Sequence, residues 1–142
     1  MENTLDCEIQ ELLLKASHLC YRNMCLTMKK FNISLEQLSL LRLLSQREGM
    51  TQRELGTCMG IRPASVSASI KKLEKADIVE RKMDQDDNRK NRVYLTEKGR
   101  TLLQVCPGCF DENREKCSRG FRKDEKELME QFLRKLIKNM ED

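Results

Sequence analysis

Tryptophan is absent from this 142-residue sequence, aromatic residues make up only 4%, and there are two prolines, six glycines and one histidine. A core so poor in rings has to be built from Leu, Ile, Val and Met, which suits helix packing. The scarcity of helix breakers points to long, uninterrupted helices. With one histidine, no glycine-rich phosphate loop and no nucleophile–base pair at a recognisable spacing, catalysis is not expected. Asp86 and Asp87 are adjacent in a polar stretch rather than converged from different elements. Neither a metal nor a cofactor is expected. No apolar run approaches the length of a membrane span, so no membrane partner is expected. Leu12-Leu13-Leu14 is too short for a secretory leader, and Glu2, Asp6 and Glu8 stand where a leader is basic. Seven cysteines in an unsecreted chain read as reduced thiols, which places the protein in the cytoplasm.

Charge is what the chain does hold. Charged residues make up 35% and hydrophobic residues 39%, with a formal net charge of +4. Residues 62–100 carry eleven Lys/Arg against seven Asp/Glu, and the rest of the chain carries sixteen of each. The whole positive excess therefore lies in one continuous stretch, as expected of a face that meets a polyanion.

The hydrophobic spacing divides the chain into six helices and one hairpin. Leu5, Ile9, Leu12, Leu13, Ala16, Leu19 and Cys20 recur with helical period over residues 5–30. Ser34 with Gln37, and Thr51 with Glu54, have the spacing of capping boxes that open a second and a third helix. Leu38, Leu40, Leu41, Leu43 and Leu44 make the second helix a buried one. Gly60 closes the third helix and Pro63 opens a fourth that runs to about residue 75. Two short helices joined by a tight glycine turn are the sequence form of a helix-turn-helix. The period then changes. Ile78-Val79 and Val93-Tyr94-Leu95 are β-prone legs of a hairpin whose polar loop spans 82–92. Thr96 opens a fifth helix, kinked or interrupted at Pro107-Gly108 and ended by Gly120. A sixth runs over 124–140 with a stripe of Leu128, Phe132, Leu133, Leu136, Ile137 and Met140.

On the fourth helix, Val66, Ser69, Ile70 and Leu73 share the inner side. Ala64, Ala68, Lys71 and Lys75 point away, flanked by Ser65, Ser67 and Lys72. A helix entering a major groove needs such a face: small residues allow close approach, hydroxyls bond base edges or phosphates, and lysines offset backbone charge. On the hairpin, Asp87 two residues before Arg89 is placed to orient an arginine for the minor groove. Lys82, Lys90 and Arg92 are within reach of phosphates.

These residues resemble the MarR family of bacterial regulators. The most specific likeness is Asp87-Asn88-Arg89 followed, after five residues, by Leu95-Thr96-Glu97-Lys98-Gly99-Arg100. Thr51-Gln52-Arg53-Glu54-Leu55, Ser65-Val66-Ser67 and the run from Leu73 to Arg81 add to it. The resemblance implies a mainly α fold with a small β-hairpin wing, in which a winged helix-turn-helix lobe (33–98) lies between an N-terminal dimerisation helix (1–32) and C-terminal dimerisation helices (99–142). It implies that Asp87 and Arg89 make the wing contact and Ser65 and Ser67 the recognition contacts. Three positions depart from the pattern. Arg62 replaces a polar cap, which weakens that helix start or makes the arginine a phosphate contact; Arg122-Lys123 replaces another cap and weakens the start of the last helix; and Arg92 stands where the family is often apolar. The apolar stripes of the terminal helices also exceed what one small lobe can cover, which argues for a homodimer. Its DNA would be a pseudo-palindrome with half-sites about 10 bp apart.

The sequence leaves the signal open. A repressor released by a small molecule would use a crevice between the dimer helices and the winged lobe, with His18, Arg22 and Leu40 as candidate walls. A thiol switch would use Cys106-Pro-Gly-Cys109, although hydroperoxide-sensing relatives carry their cysteine near the position of Gln10, which Cys7 and Cys20 only bracket. A winged helix can also serve as a protein-interaction module, but a basic wing fits poorly in an interface core.

Overall fold

The computed structural model describes residues 2–141. Its elements are α1 (Glu2–Met28), a 3-10 turn (Lys29–Phe31), α2 (Leu35–Gln46), β1 (Met50–Thr51), α3 (Gln52–Met59), α4 (Pro63–Lys75), β2 (Val79–Met83), β3 (Asn91–Leu95), α5 (Glu97–Cys109), α6 (Asp111–Ser118) and α7 (Lys123–Glu141). The chain up to Phe110 forms one compact unit, and the chain from Asp111 onward forms another.

Caps set the boundaries of the first unit. The Gln37 N–H donates to Ser34 Oγ at 3.0 Å while the Ser34 N–H donates to Gln37 Oε1 at 2.9 Å. Thr51 and Glu54 repeat the exchange at 3.1 and 3.2 Å. Each box satisfies two of the donors that a helix start leaves unpaired. Asn32 at φ 56° ends the 3-10 turn, and Gly60 at φ 64° ends α3 in the left-handed conformation that glycine adopts without strain.

The sheet has three antiparallel strands in the order β1-β3-β2. In register, Val79 faces Leu95, Met83 faces Asn91 and Met50 faces Val93. The hairpin legs are longer than the β-prone runs, reaching Met83 and starting at Asn91, so the connecting loop shrinks to residues 84–90. The ladder uses backbone groups, and a leg that is open on one face carries polar side chains such as Glu80 and Lys82 without penalty. Strand β1, which no local sequence pattern marks, exists through its pairing with β3. One hydroxyl closes the base of the hairpin. Thr96 Oγ1 donates to the Asp77 carbonyl at 2.6 Å, lies 3.0 Å from the Ile78 carbonyl, and accepts the Gly99 N–H at 3.1 Å.

The core is aliphatic. Leu38, Leu40, Leu41 and Leu44 of α2 meet Leu55 of α3, Val66, Ile70 and Leu73 of α4, Val79, Val93 and Leu95 of the sheet, and Cys106 and Phe110 of α5. Each such burial contributes roughly 1.5–3 kcal/mol. Met28 joins the same cluster, so the end of α1 and the inner side of α5, with Leu102, Leu103 and Cys106, belong to the lobe's core. Pro107 lies in the last turn of α5, and the helix stops at Cys109, so the expected break at Pro107-Gly108 is an interruption and not a kink. The fifth expected helix is thus divided into α5 and α6, and counted as one it completes the six expected. Gly120, at φ 81°, follows α6.

The apolar stripes at the two ends of the chain are uncovered. On α1, Leu5, Ile9, Leu12, Leu14, Leu19 and Leu26 are exposed. On α7, within the second unit, Leu128, Phe132, Leu133, Ile137 and Met140 are exposed, and Met140 keeps 80% of its surface. Arg122 before α7 is no weak start: its N–H donates to Glu125 at 2.8 Å and its guanidinium pairs with Asp124.

Candidate nucleic-acid interface

Close packing of α3 and α4 positions the reading face. The Ile61 N–H donates to the Gly56 carbonyl at 3.1 Å. A side chain at Gly56 would crowd the Ile61 carbonyl and Val66 at 3.3 Å, so glycine lets the two helices approach. With Val66, Ile70 and Leu73 buried, the opposite face of α4 is open. Ala64, Ser65, Ala68, Lys71, Lys72 and Lys75 are exposed and Ser67 is half-buried. Arg62 is the N-cap, its side chain makes no capping bond, and it is exposed at the mouth of the helix, where Pro63 has no N–H and the Ser65 and Val66 N–H groups donate to the Arg62 carbonyl at 3.0 and 3.1 Å.

The wing is tied to α4. Arg81 on β2 donates to Glu74 in the last turn of α4 through Nε at 2.7 Å and Nη2 at 3.1 Å. This two-point geometry is the strongest an arginine and a carboxylate make. It holds the Glu74 carboxyl below its usual range and raises Arg81 above its own.

The wing loop is closed by its own backbone and by two aspartates. The Asp84 N–H donates to the Lys90 carbonyl at 2.9 Å, and the Lys90 N–H to the Asp87 carbonyl at 3.0 Å. Asp87 Oδ1 accepts the backbone N–H of Arg89 at 3.0 Å, whereas the Arg89 guanidinium lies 3.9 Å away with 96% of its side chain exposed. Asp87 therefore shapes the turn more than it grips the arginine. Arg89 and Lys90 project into solvent.

Arg92 departs from the sequence expectation. It is not free for phosphate, because Nε and Nη2 meet Asp84 Oδ2 at 3.1 Å and Nη1 donates to the Gly49 carbonyl at 2.8 Å. Asp84 is held below the usual carboxylate range, first by the Asp86 N–H and then by Arg92. Lys82 is drawn to Glu80 at 3.3 Å and lies over the Tyr94 ring.

Sequence reasoning missed one cationic margin. A groove of about 950 Å³ runs beside α4, and Lys29, Lys72 and Lys75 line it together with Ser34 at the start of α2. The adjacent Lys29-Lys30 pair after the first helix was its only signal.

The expected ligand walls do not come together. Leu40 is wholly buried in the core, because α2 is covered by α5 and the sheet, while His18 and Arg22 are exposed on α1. None of the three lines the concavities found in the first unit. The most apolar of these, about 670 Å³, is walled by Phe31, Ile78, Leu102 and Val105, with Lys98 at its margin. The Cys106 thiol is fully buried, and burial pushes it up, away from the reactive thiolate. Cys109 Sγ lies 3.7 Å from the Val105 carbonyl. Among the described residues no cluster of metal-binding side chains occurs, and no helix is long and apolar enough to cross a membrane.

Residues 33–90, from the start of α2 to the wing loop, match the sequence model of the MarR family. The chain superposes on Staphylococcus aureus MepR, a transcription regulator of the multidrug efflux pump MepA. The TM-score is 0.80 at 24% identity over 92% of this chain and 97% of that one. A variant of S. aureus MepR bound to an oligodeoxyribonucleotide gives 0.68 at 24% identity, covering 93% and 97%. MarR from E. coli without ligand gives 0.77 at 19% identity, covering 89% and 94%.

Proposed function

We infer that this chain, whose residues 33–90 are a MarR-family winged-helix domain, is a sequence-specific double-stranded DNA-binding transcriptional regulator. It acts as a homodimer in the cytoplasm and represses until a small molecule releases it. The observation that carries this is the pairing of two cationic projections on one rigid support. The small and basic outer face of α4 and the almost fully exposed Arg89 are joined through the Glu74–Arg81 bridge. The oligodeoxyribonucleotide complex of the MepR variant supports the same use of the fold.

Two further features support the finer points. The exposed stripes of α1 and α7 are each longer than an isolated soluble chain tolerates without a partner, and a second copy supplies the matching face. The crevice walled by Phe31, Ile78, Leu102 and Val105 suits a small apolar effector, its charged margin being shared by Glu97 and by Lys98, whose Nζ donates to the Ala76 carbonyl at 2.9 Å.

Selection of bound duplexes from a random pool at near-physiological salt tests the proposal. The expected product is a dyad-symmetric site with half-sites about one turn, ~10 bp, apart. A protein that stays monomeric, or that retains no duplex even at low ionic strength, would sink it.

A further inference from the structure

Arg92 sits on the central strand β3 and touches two distant places at once. Nη1 holds the carbonyl of Gly49, next to β1 and two residues before the Thr51 cap of α3, while Nε and Nη2 hold Asp84 at the first residue of the wing loop. Asp84 in turn accepts the Asp86 N–H at 3.1 Å, and its own N–H meets the Lys90 carbonyl across the loop. A continuous chain of hydrogen bonds therefore runs from the foot of the helix-turn-helix to the loop that carries Arg89. The Asp84 side chain is only 13% exposed and that of Arg92 36%, so the link is partly shielded from water and salt.

We propose that Arg92 is a positioning residue. Held between Asp84 and the Gly49 carbonyl, it fixes the angle at which the wing presents Arg89 to the minor groove, and so sets discrimination among the sequences flanking the half-sites without touching DNA. The proposal rests on the DNA-binding function above. Its physical basis is preorganisation. A loop already fixed in its bound shape loses less freedom on docking, and an arginine delivered to one depth distinguishes a narrow A·T-rich groove from a wider one.

The alternative is that Arg92 lets go of Asp84 and binds a phosphate itself. The two roles predict opposite signs for Asp84→Asn. Removal of a negative charge near the phosphates strengthens binding if Arg92 is a phosphate contact. It weakens binding if the link orients the wing.

The experiment measures affinity of the full chain for a duplex selected by the parent protein and for the same duplex with its A·T flanks changed to G·C. It compares the parent with Arg92→Leu, Arg92→Lys and Asp84→Asn across a salt series. The expected result is that all three variants lose about tenfold on the A·T-flanked duplex and about twofold or less on the other. The dependence on salt stays that of the parent, because no phosphate contact is lost. Lysine keeps the charge but cannot span both partners, so Arg92→Lys is expected to behave as Arg92→Leu does. Amide exchange of Asp86 and Lys90 without DNA supplies a second readout, expected to quicken in all three variants while the α2 amides stay protected. Unchanged exchange at these two amides overturns the proposal. So does tighter binding by Asp84→Asn, or a parent-like Arg92→Lys beside an Arg92→Leu that loses affinity on both duplexes with a shallower salt slope. A parent protein that binds no duplex overturns the function itself, and is told apart because the variants then have nothing to lose.

Discussion

Arg81 grips Glu74 with two parallel N–H donors, at 2.7 and 3.1 Å, and thereby joins the last turn of α4 to the first strand of the wing. The pair is only partly shielded, with side-chain exposures of 28% and 38%, so its worth to stability is about 1 kcal/mol or less. Its main effect is geometric. It fixes the first strand of the hairpin against the end of the helix.

This bridge gives stability an acid dependence of known sign. The Glu74 carboxyl is depressed from its ordinary value of 4.5, chiefly by the bonds from Arg81. A depressed carboxyl contributes stability above its unfolded pKa and loses that contribution as pH falls through the lower folded value. Urea melts of the parent and Glu74→Gln should therefore differ at pH 7 and converge as pH drops below 4.5. A gap that persists at pH 2 would show that the bridge is not its source.

Gly99 lies where α5 passes the start of β2, and a methyl group added there would meet the carbonyl oxygen of Ile78 well inside contact distance. Backbone cannot swing aside as a side chain does. Gly99→Ala should destabilise the chain by about 1–3 kcal/mol, read as a lower denaturation midpoint with an unchanged slope.

The two projections should fail in different ways. Arg89→Ala should weaken DNA binding about tenfold or more, most strongly at A·T-rich flanks. Lys72→Ala should weaken binding to all sequences alike and reduce the salt slope by about 1. Equal behaviour of the two variants in one salt series would remove the assigned division of labour.

Replacing Leu133 by Asp puts a charge in the middle of the α7 stripe, which is already exposed in the single chain. The expected outcome is a monomer in sedimentation whose helicity matches that of the parent and whose affinity for a dyad site falls to that of one half-site. A dimer that survives the change would point to a different interface.

A brief alkylation followed by mass mapping should modify Cys7 and Cys58 long before Cys106. The first two are exposed; the last has no exposed surface and a thiol held neutral by burial. Equal rates would reopen the Cys106-Cys109 pair as a redox switch.

Much of this architecture is legible locally. The Ser34–Gln37 and Thr51–Glu54 boxes, the Gly60 stop and the Pro63 start are decided by residues three or four apart, and the aliphatic period of α2 marks the core. What escaped is decided by distant partners. Strand β1 exists only because Met50 lies opposite Val93, and Arg92 is engaged by a carbonyl 43 residues away. A cation in a sequence shows its charge but not its partner. Leu40 was misplaced for a related reason: a leucine-rich helix gives no sign of which leucine faces a crevice and which the centre.

The Thr96 hydroxyl clasps both feet of the hairpin at once, reaching the Asp77 and Ile78 carbonyls on one side and the Gly99 N–H on the other. The strands above that clasp stay bound to the scaffold through Arg81 and Arg92, and only the tip between Asp84 and Lys90 stands clear of it. A tip of another length can therefore be grafted between those two residues while the joint to α5 stays untouched.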